Sequence, residues 1–373
     1  MSRVILPVDR LEILWPRRLS GKRVGALLHG ASVDASLRPT LAHLEKMSAE
    51  GLIRLSALFG PQHGFETTTQ DNMVEWTGYR HPRLGIPIHS LYGEHREPTP
   101  EMLQGLEVIF IDLVDVGSRY YTFIWTMLLC LKAAQRHGLT VVVADRPNPL
   151  NGVSVEGEPQ RPDHLSFVGL HPLPVRHGKT IGELAQLFQQ ELFPDIDLEV
   201  LPMEGWERGH YFDETGLTWL MPSPNMPTVE TALIYPGMCL LEGTNLSEGR
   251  GTTRPFEFFG APWINGFDLA SELNALALPG ALFREVAFEP GFHRPSPLKH
   301  HACLAGDQRY RRMFDAPLGR DGMESNAALV GLSHDLVAVA GDGVFERHHG
   351  YGDEAATFRR HHLHERQILK LGD

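Results

Sequence analysis

Val108-Ile-Phe-Ile111, Asp112-Leu-Val-Asp-Val-Gly-Ser-Arg-Tyr-Tyr121, a helix-spaced apolar stretch to Arg136, Gly138 and then Thr140-Val-Val-Val-Ala144 set the fold class. The first and last pieces are short, apolar and β-branched, so they read as buried strands. The stretch Tyr121–Arg136 between them reads as a helix, and Gly138 suits its left-handed end. Two strands joined by a helix make a parallel pair. The same alternation extends in both directions. Upstream lie strand-like Val24–Leu28, Ile53–Phe59 and Ile86–Tyr92. Leu37, Leu41, Leu44 and Met47 follow at helical spacing from Leu37 to Met47, with Gly51 as a stop. Downstream, Thr180 with Glu183 three residues on predicts a capped helix to about Leu192, and Leu198–Leu201 a further strand. The expectation is α/β: a mostly parallel sheet with helices on both faces. Beyond Phe256 shorter apolar runs, Leu282–Phe288 and Leu336–Ala340, predict a smaller α/β domain.

Composition narrows the function. Among 373 residues, 46 acidic against 34 basic side chains give a net charge of −12. That balance disfavours nucleic acid and anionic membrane as partners, since either wants a basic face. The 37 glycines and 27 prolines show no repeat period, so they predict many specified loops. Three scattered cysteines form no CxxC pair, which suits a reducing compartment. Pro7 and Asp9 interrupt the N-terminal stretch, so no signal peptide is read there, and the apolar run near Phe123–Leu131 is too short for a membrane span. A soluble, cytoplasmic protein is expected.

Ligands of such sheets bind beyond the carboxyl ends of the strands. Four of the segments there are rich in His, Arg, Asp and Gly: Gly60–Phe65, Gly93–Arg96, Asp112–Tyr121 and Asp145–Gly152. The first strand leads instead into His29-Gly-Ala-Ser-Val33, and neither GxGxxG nor GxxxxGK[ST] occurs, so a nucleotide cofactor is not expected. No HExxH, Cys/His pair or GxSxG elbow occurs either. His63, Asp112, Asp115 and His177 match no specific metal spacing. The histidines at 348, 349, 361, 362 and 364 read as a solvated helix face. What remains is carboxylates with arginines. Glycoside cleavage needs one carboxyl group to protonate the leaving oxygen and a second group to stabilise the anomeric centre. Rim candidates are Glu75, Glu94, Asp115, Asp145, Glu156, Glu242 and Glu248. Arg119, Arg146, Arg176 and Arg250 suit an anionic substituent. Glycines in Glu242–Thr253 would admit close backbone approach to a ligand. Spacing alone reads as a carbohydrate or small anionic substrate.

Leu58-Phe-Gly-Pro-Gln-His-Gly-Phe65, Ser90-Leu-Tyr-Gly93, Asp115-Val-Gly-Ser-Arg-Tyr-Tyr-Thr122 and Asp145-Arg-Pro-Asn-Pro149 resemble one family. So do Ser166-Phe-Val-Gly169, Arg176-His-Gly178, Pro222–Thr228 and Glu242–Thr253. These motifs are similar to the NamZ-type exo-β-N-acetylmuramidases. The resemblance implies a Rossmann-like domain, here 1–240, a smaller domain, 241–373, and an active-site cleft between them. It also implies removal of N-acetylmuramic acid from the non-reducing end of peptidoglycan fragments, such as muropeptides or disaccharides, during cell-wall recycling. The family pattern usually carries Glu, a proposed catalytic residue, where this chain has Gln62. Glu75, whose carboxyl Met73, Val74 and Trp76 would bury, or Glu242 is then the expected general acid, with Asp115 or the substrate's acetamido group at the anomeric centre. Expected binding residues are Gln62, His63, Arg119, Tyr121, Asp145, Arg146, Asn148, Glu156, Arg176, His177, Asn225, Asn245, Glu248 and Arg250. No cofactor and no metal are expected; a homodimer is. The rival readings are an amino-sugar-binding protein that lost its acid, and a metal-dependent hydrolase built on Asp112, Asp115 and His63.

Overall fold

The computed structural model describes residues 3–70, 74–278 and 281–292, and the backbone of 300–305. Its strands are β1 (Arg23–Leu27), β2 (Arg54–Gly60), β3 (Tyr79–Arg80), β4 (Pro87–Ser90), β5 (Val108–Ile111), β6 (Thr140–Ala144), β7 (Leu198–Leu201), β8 (Phe258–Ala261), β9 (Phe283–Phe288) and β10 (His300–Ala305). The helices are α1 (Leu11–Leu14), α2 (Thr40–Ala49), α3 (Pro100–Leu103), α4 (Phe123–His137), α5 (Ile181–Leu192), α6 (Val229–Met238) and α7 (Gly266–Ala275). The chain divides into two compact units. One comprises Met1–Val155 with Pro174–Leu233, the other Glu156–Leu173 with Ile234–Asp373.

The first unit holds a seven-stranded sheet in the order β3-β4-β2-β1-β5-β6-β7. Every pair is parallel except β3 with β4. β5 and β6 are buried along their whole length, as strands covered on both faces must be. From β1 the chain winds outward through β2 to β4, then returns to place β5 on the other side of β1. The order therefore reverses between β1 and β5, where a crevice opens beyond the carboxyl ends.

Local chemistry sets the element ends. Thr180 accepts from the Glu183 amide while the Glu183 carboxylate accepts from the Thr180 amide, closing the expected capping box on α5. Gly138 ends α4 at φ 66°. Two helix starts differ from expectation. α2 begins at Thr40 because Leu37 takes φ 66° and Pro39 precedes the helix; Leu37 is exposed rather than core. α4 begins at Phe123, since Tyr121 donates its amide to Ser118 in a turn. The two-residue β3 is too short and too exposed to leave a periodic signal.

The second unit carries a three-stranded antiparallel sheet, β8-β10-β9, with α7 capped by Asn265. β9 falls on the expected run Leu282–Phe288. The run Leu336–Ala340 and the histidines at 348–364 lie outside the described residues.

Candidate active site

β5 ends at Ile111, and the next residue is completely buried Asp112, beside the point where the strand order reverses. Its Oδ2 accepts from Thr40 Oγ1 at 2.6 Å and Arg146 Nη2 at 2.8 Å; Oδ1 accepts from Arg146 Nε. Arg146 Nη2 also reaches the Val33 carbonyl at 2.8 Å. This fork joins the segments after β1, β5 and β6. It corrects the expectation of an arginine ready to fork onto a substrate carboxylate: Arg146 spends two nitrogens on Asp112. It also sets a guanidinium against Asp112, which a metal ion at that carboxylate would have to displace. Among the described residues no group of His, Cys, Asp and Glu is placed to hold a metal ion.

Three residues further on, Asp115 is in a different state. Its Oδ2 accepts from the Gly117 amide at 2.8 Å and lies 3.0 Å from His177 Nε2. Its Oδ1 is buried with no hydrogen-bond partner among the described residues, as is the neighbouring Ser118 Oγ. His177 Nδ1 accepts from the Lys179 amide, so the proton of a neutral ring sits on Nε2, on the Asp115 side. The loops that carry the pair are zipped by a Ser118–Arg176 bridge and by the Arg119 amide on the Val175 carbonyl at 2.8 Å. Gly117 takes φ 77°, and a Cβ there would stand 2.5 Å from Asn148 Oδ1. Asn148 in turn donates to the Lys179 carbonyl and accepts from the Leu150 amide, each at 2.9 Å, so it clamps the loops together.

Arg119 and Arg176 are both buried in these loops. Burial lowers the Arg119 pKa, and its guanidinium lies 5.2 Å from the Tyr120 ring. Arg176 hydrogen-bonds the Leu150 carbonyl and lies 5.9 Å from the Tyr211 ring. Burial pushes the buried Tyr121 phenol up, so it stays protonated. Asp145 is also raised, to about 6, by burial; it accepts from the Gly182 and Arg146 amides and so anchors the start of α5.

After β2, Gln62 and His63 are buried. Thr122 Oγ1 donates to Gln62 Oε1 at 2.6 Å, which fixes the amide's orientation. His63 occupies the left-handed region at φ 71°, and its Nδ1 donates to the Thr69 carbonyl at 2.7 Å. A non-glycine residue held there marks a position that its surroundings over-determine. Asn225 donates to the Gln70 carbonyl at 2.7 Å, tying the Pro222–Thr228 loop to this segment. Trp76 Nε1 donates to the Pro61 carbonyl at 3.0 Å, so the chain next to Glu75 is anchored beside Gln62. Glu75 itself is exposed, and the burial expected from Val74 and Trp76 is not found; Met73 lies outside the described residues.

In the second unit, Arg250 bridges Glu242 at 2.6 Å and Glu248 at 3.2 Å and lies 4.8 Å from the Phe256 ring. Burial pulls its pKa down, but the two carboxylates outweigh that and raise it. Glu242 thus already faces a cation. Gly249 and Gly251 take φ 83° and 81°. A Cβ at Gly249 would stand 2.4 Å from the Phe258 carbonyl, so the crowding is by this unit's own backbone rather than the expected ligand. Asn245 is exposed and Glu156 half-buried.

Two residues escaped the sequence reading. His29 accepts from the Val114 amide at 3.0 Å and packs edge-on to Phe123; burial lowers its pKa to about 3, so it is a neutral acceptor supporting the Asp112–Asp115 loop. Thr122 sets the Gln62 amide. Their positions, just after β1 and just before α4, were the only available signals.

A family description, exo-beta-N-acetylmuramidase NamZ N-terminal, matches residues 24–230, and its C-terminal counterpart matches residues 233–315. The peptidoglycan beta-N-acetylmuramidase NamZ of Bacillus subtilis is 43% identical over 333 residues, spanning 88% of this chain and 77% of that protein. A crystal structure of a DUF1343 family protein from Bacteroides fragilis superposes with TM-score 0.77 at 30% identity, covering 92% of this chain and 84% of that one. A second such B. fragilis protein gives TM-score 0.65 at 26% identity, covering 86% and 79%.

Proposed function

We propose a site and a division of labour for this chain, which belongs to the NamZ exo-β-N-acetylmuramidase family. It is a glycoside hydrolase of exo-β-N-acetylmuramidase type acting on a small peptidoglycan-derived carbohydrate. In our reading Asp115 is the carboxylate that faces the anomeric centre. One observation carries this: Asp115 Oδ1 is buried and lacks a partner among the described residues, while Oδ2 accepts from the Gly117 amide and lies 3.0 Å from His177 Nε2. A buried acceptor left unsatisfied costs about 1–3 kcal/mol, and a substrate that fills the site relieves that cost. An oxocarbenium-like centre beside Oδ1 gains most from the fixed negative charge. Glu75 supplies the proton to the leaving oxygen, because Glu242 already faces Arg250 whereas Glu75 is exposed next to the Trp76 anchor. Gln62, His63, Arg119 and Arg176 orient the sugar.

The test uses chromogenic β-glycosides of N-acetylmuramic acid and N-acetylglucosamine. Release from the first and not the second, lost in Asp115→Asn, supports the proposal. Gln62 favours a second reading, a binding protein without an acid. Tight binding of N-acetylmuramic acid without release from either glycoside would establish that alternative. A cytoplasmic role in wall recycling belongs to the same proposal and draws on the free thiols of Cys130 and Cys239; cell fractionation tests it. Among the described residues no helix is long and apolar enough to cross a membrane. Assembly as a homodimer is tested by light scattering.

A further inference from the structure

A cavity of about 40 Å³ opens where the segments after β1, β5 and β6 meet, lined by Val33, Val114 and Arg146 together with Phe212, Trp219 and Leu220. Its aromatic wall is built in place. The Phe212 and Trp219 rings meet edge to face at 5.0 Å, and Trp219 Nε1 is tied to the Met226 carbonyl at 3.2 Å. Its polar inventory is short. Arg146 gives Nε and Nη2 to Asp112 and Val33, and Nη1 has no partner among the described residues. Asp34 also lines the cavity, but Oδ1 is taken by the Ser36 and Arg38 amides and Oδ2 by His43 and Arg38. The cavity therefore offers Arg146 Nη1 and the Thr218 hydroxyl against a largely apolar wall.

Size and charge then select the guest. A water occupies roughly 10–15 Å³ on this measure, so the space admits about three or four heavy atoms. That matches the size of a short substituent. The Arg146 charge is already matched by Asp112, and Asp34 adds another carboxylate nearby. A carboxylate guest would enter without a spare cation, whereas a neutral carbonyl with a methyl group needs only a donor and an apolar wall.

We propose that this cavity is the subsite for the N-acyl group of the substrate's 2-amino sugar. The acyl carbonyl accepts from Arg146 Nη1, and the methyl packs against Trp219 and Phe212. This rests on the amino-sugar glycosidase reading above and adds to it the place where the acetamido group is read. A carbonyl held there is not available to attack the anomeric carbon, which leaves that role to Asp115.

The experiment exchanges size between guest and wall. Nitrophenyl β-glycosides of the same sugar carrying N-acetyl, N-propionyl and N-butyryl groups are compared in the full chain and in Leu220→Ala and Ala35→Leu, both substitutions at the cavity wall. One methylene in a hydrophobic pocket is worth about 10–200-fold in discrimination. The unaltered protein should prefer N-acetyl over N-propionyl by about tenfold or more. Leu220→Ala should shrink or reverse that preference, and Ala35→Leu should depress the N-acetyl substrate. An acyl-length profile identical in all three proteins overturns the subsite. Thermal unfolding of each variant shows that it is folded, and Ala35→Leu decides alone if Leu220→Ala is not. Should no glycoside be cleaved, the glycosidase reading fails by itself. Calorimetric binding of free N-acetyl- and N-propionyl-glucosamine to the same proteins then decides the subsite, with equal or absent binding of both overturning it.

Discussion

Asp112 and Asp115 lie in one loop, three residues apart, and both are buried. Burial therefore does not distinguish them. Partners do: Asp112 is saturated by Thr40 and the Arg146 fork, while Asp115 keeps one oxygen without a partner among the described residues. The first is a fastening that joins three strand ends. The second is held at one oxygen so that the other can act. The lesson extends to the arginines. Sequence places Arg146 next to a predicted strand end and makes it look like an anion grip, but its neighbour after the adjacent strand, Asp112, had already claimed two of its nitrogens.

The contrast predicts opposite phenotypes for two aspartates of the same loop. Asp115→Asn keeps an acceptor for the Gly117 amide but loses the charge, so turnover should fall about 10²–10⁴-fold, the range for a positioned catalytic group. Urea unfolding should change little. Asp112→Ala leaves the Arg146 guanidinium buried without its partner, and removal of one member of such a pair costs about 3–5 kcal/mol. Its urea midpoint should fall accordingly. A stable, inactive Asp112→Ala with an unstable, active Asp115→Asn would reverse the assignment.

Legibility followed the same line. The parallel sheet could be read because β5 and β6 are uniformly apolar and β-branched, and because the Thr180–Glu183 box and Gly138 mark helix ends by local chemistry. The rim could be read as a cluster of charged loops. Which charges are committed could not, because that depends on contacts between positions distant in sequence: Asp112 with Arg146, Asp115 with His177, Gln62 with Thr122. Glu75 shows the converse. Its apolar neighbours Val74 and Trp76 suggested burial, but the indole turns to the Pro61 carbonyl and leaves the carboxylate in water.

A third carboxylate of the rim sharpens the comparison through pH. Asp145 is satisfied by backbone amides yet desolvated, so its folded pKa is raised from 3.8 to about 6. A raised value means that the folded state holds the proton more tightly than the unfolded chain. The stabilisation is full below about pH 4 and is lost as pH climbs through about 6. Asp145→Asn keeps an acceptor for the Gly182 amide and does not titrate. Its stability relative to the unaltered protein should therefore rise between pH 4 and pH 7, by an amount of the order of 1–3 kcal/mol. Denaturant curves at both pH values check this, and a parallel pair of pH profiles would show that Asp145 is not strained by its burial.

The smallest effect is expected at Gln62, although the family pattern makes that position conspicuous. Thr122 Oγ1 donates to Gln62 Oε1, so the acceptor end of the side chain points at Thr122 and the amide nitrogen is the end presented elsewhere. Gln62→Glu preserves the Thr122 bond, because a carboxylate accepts there equally well. It replaces one donor by an acceptor, and a sugar hydroxyl can turn to meet either. With Glu75 supplying the proton, the change should move kcat by less than about tenfold, well below the effect of a catalytic acid. Glu75→Gln, measured beside it, should remove turnover and leave sugar binding. An increase of a hundredfold or more in Gln62→Glu would place the acid at position 62 and withdraw it from Glu75. It would also set this loop beside Asp115 as the second half of a carboxylate pair that the natural sequence leaves incomplete.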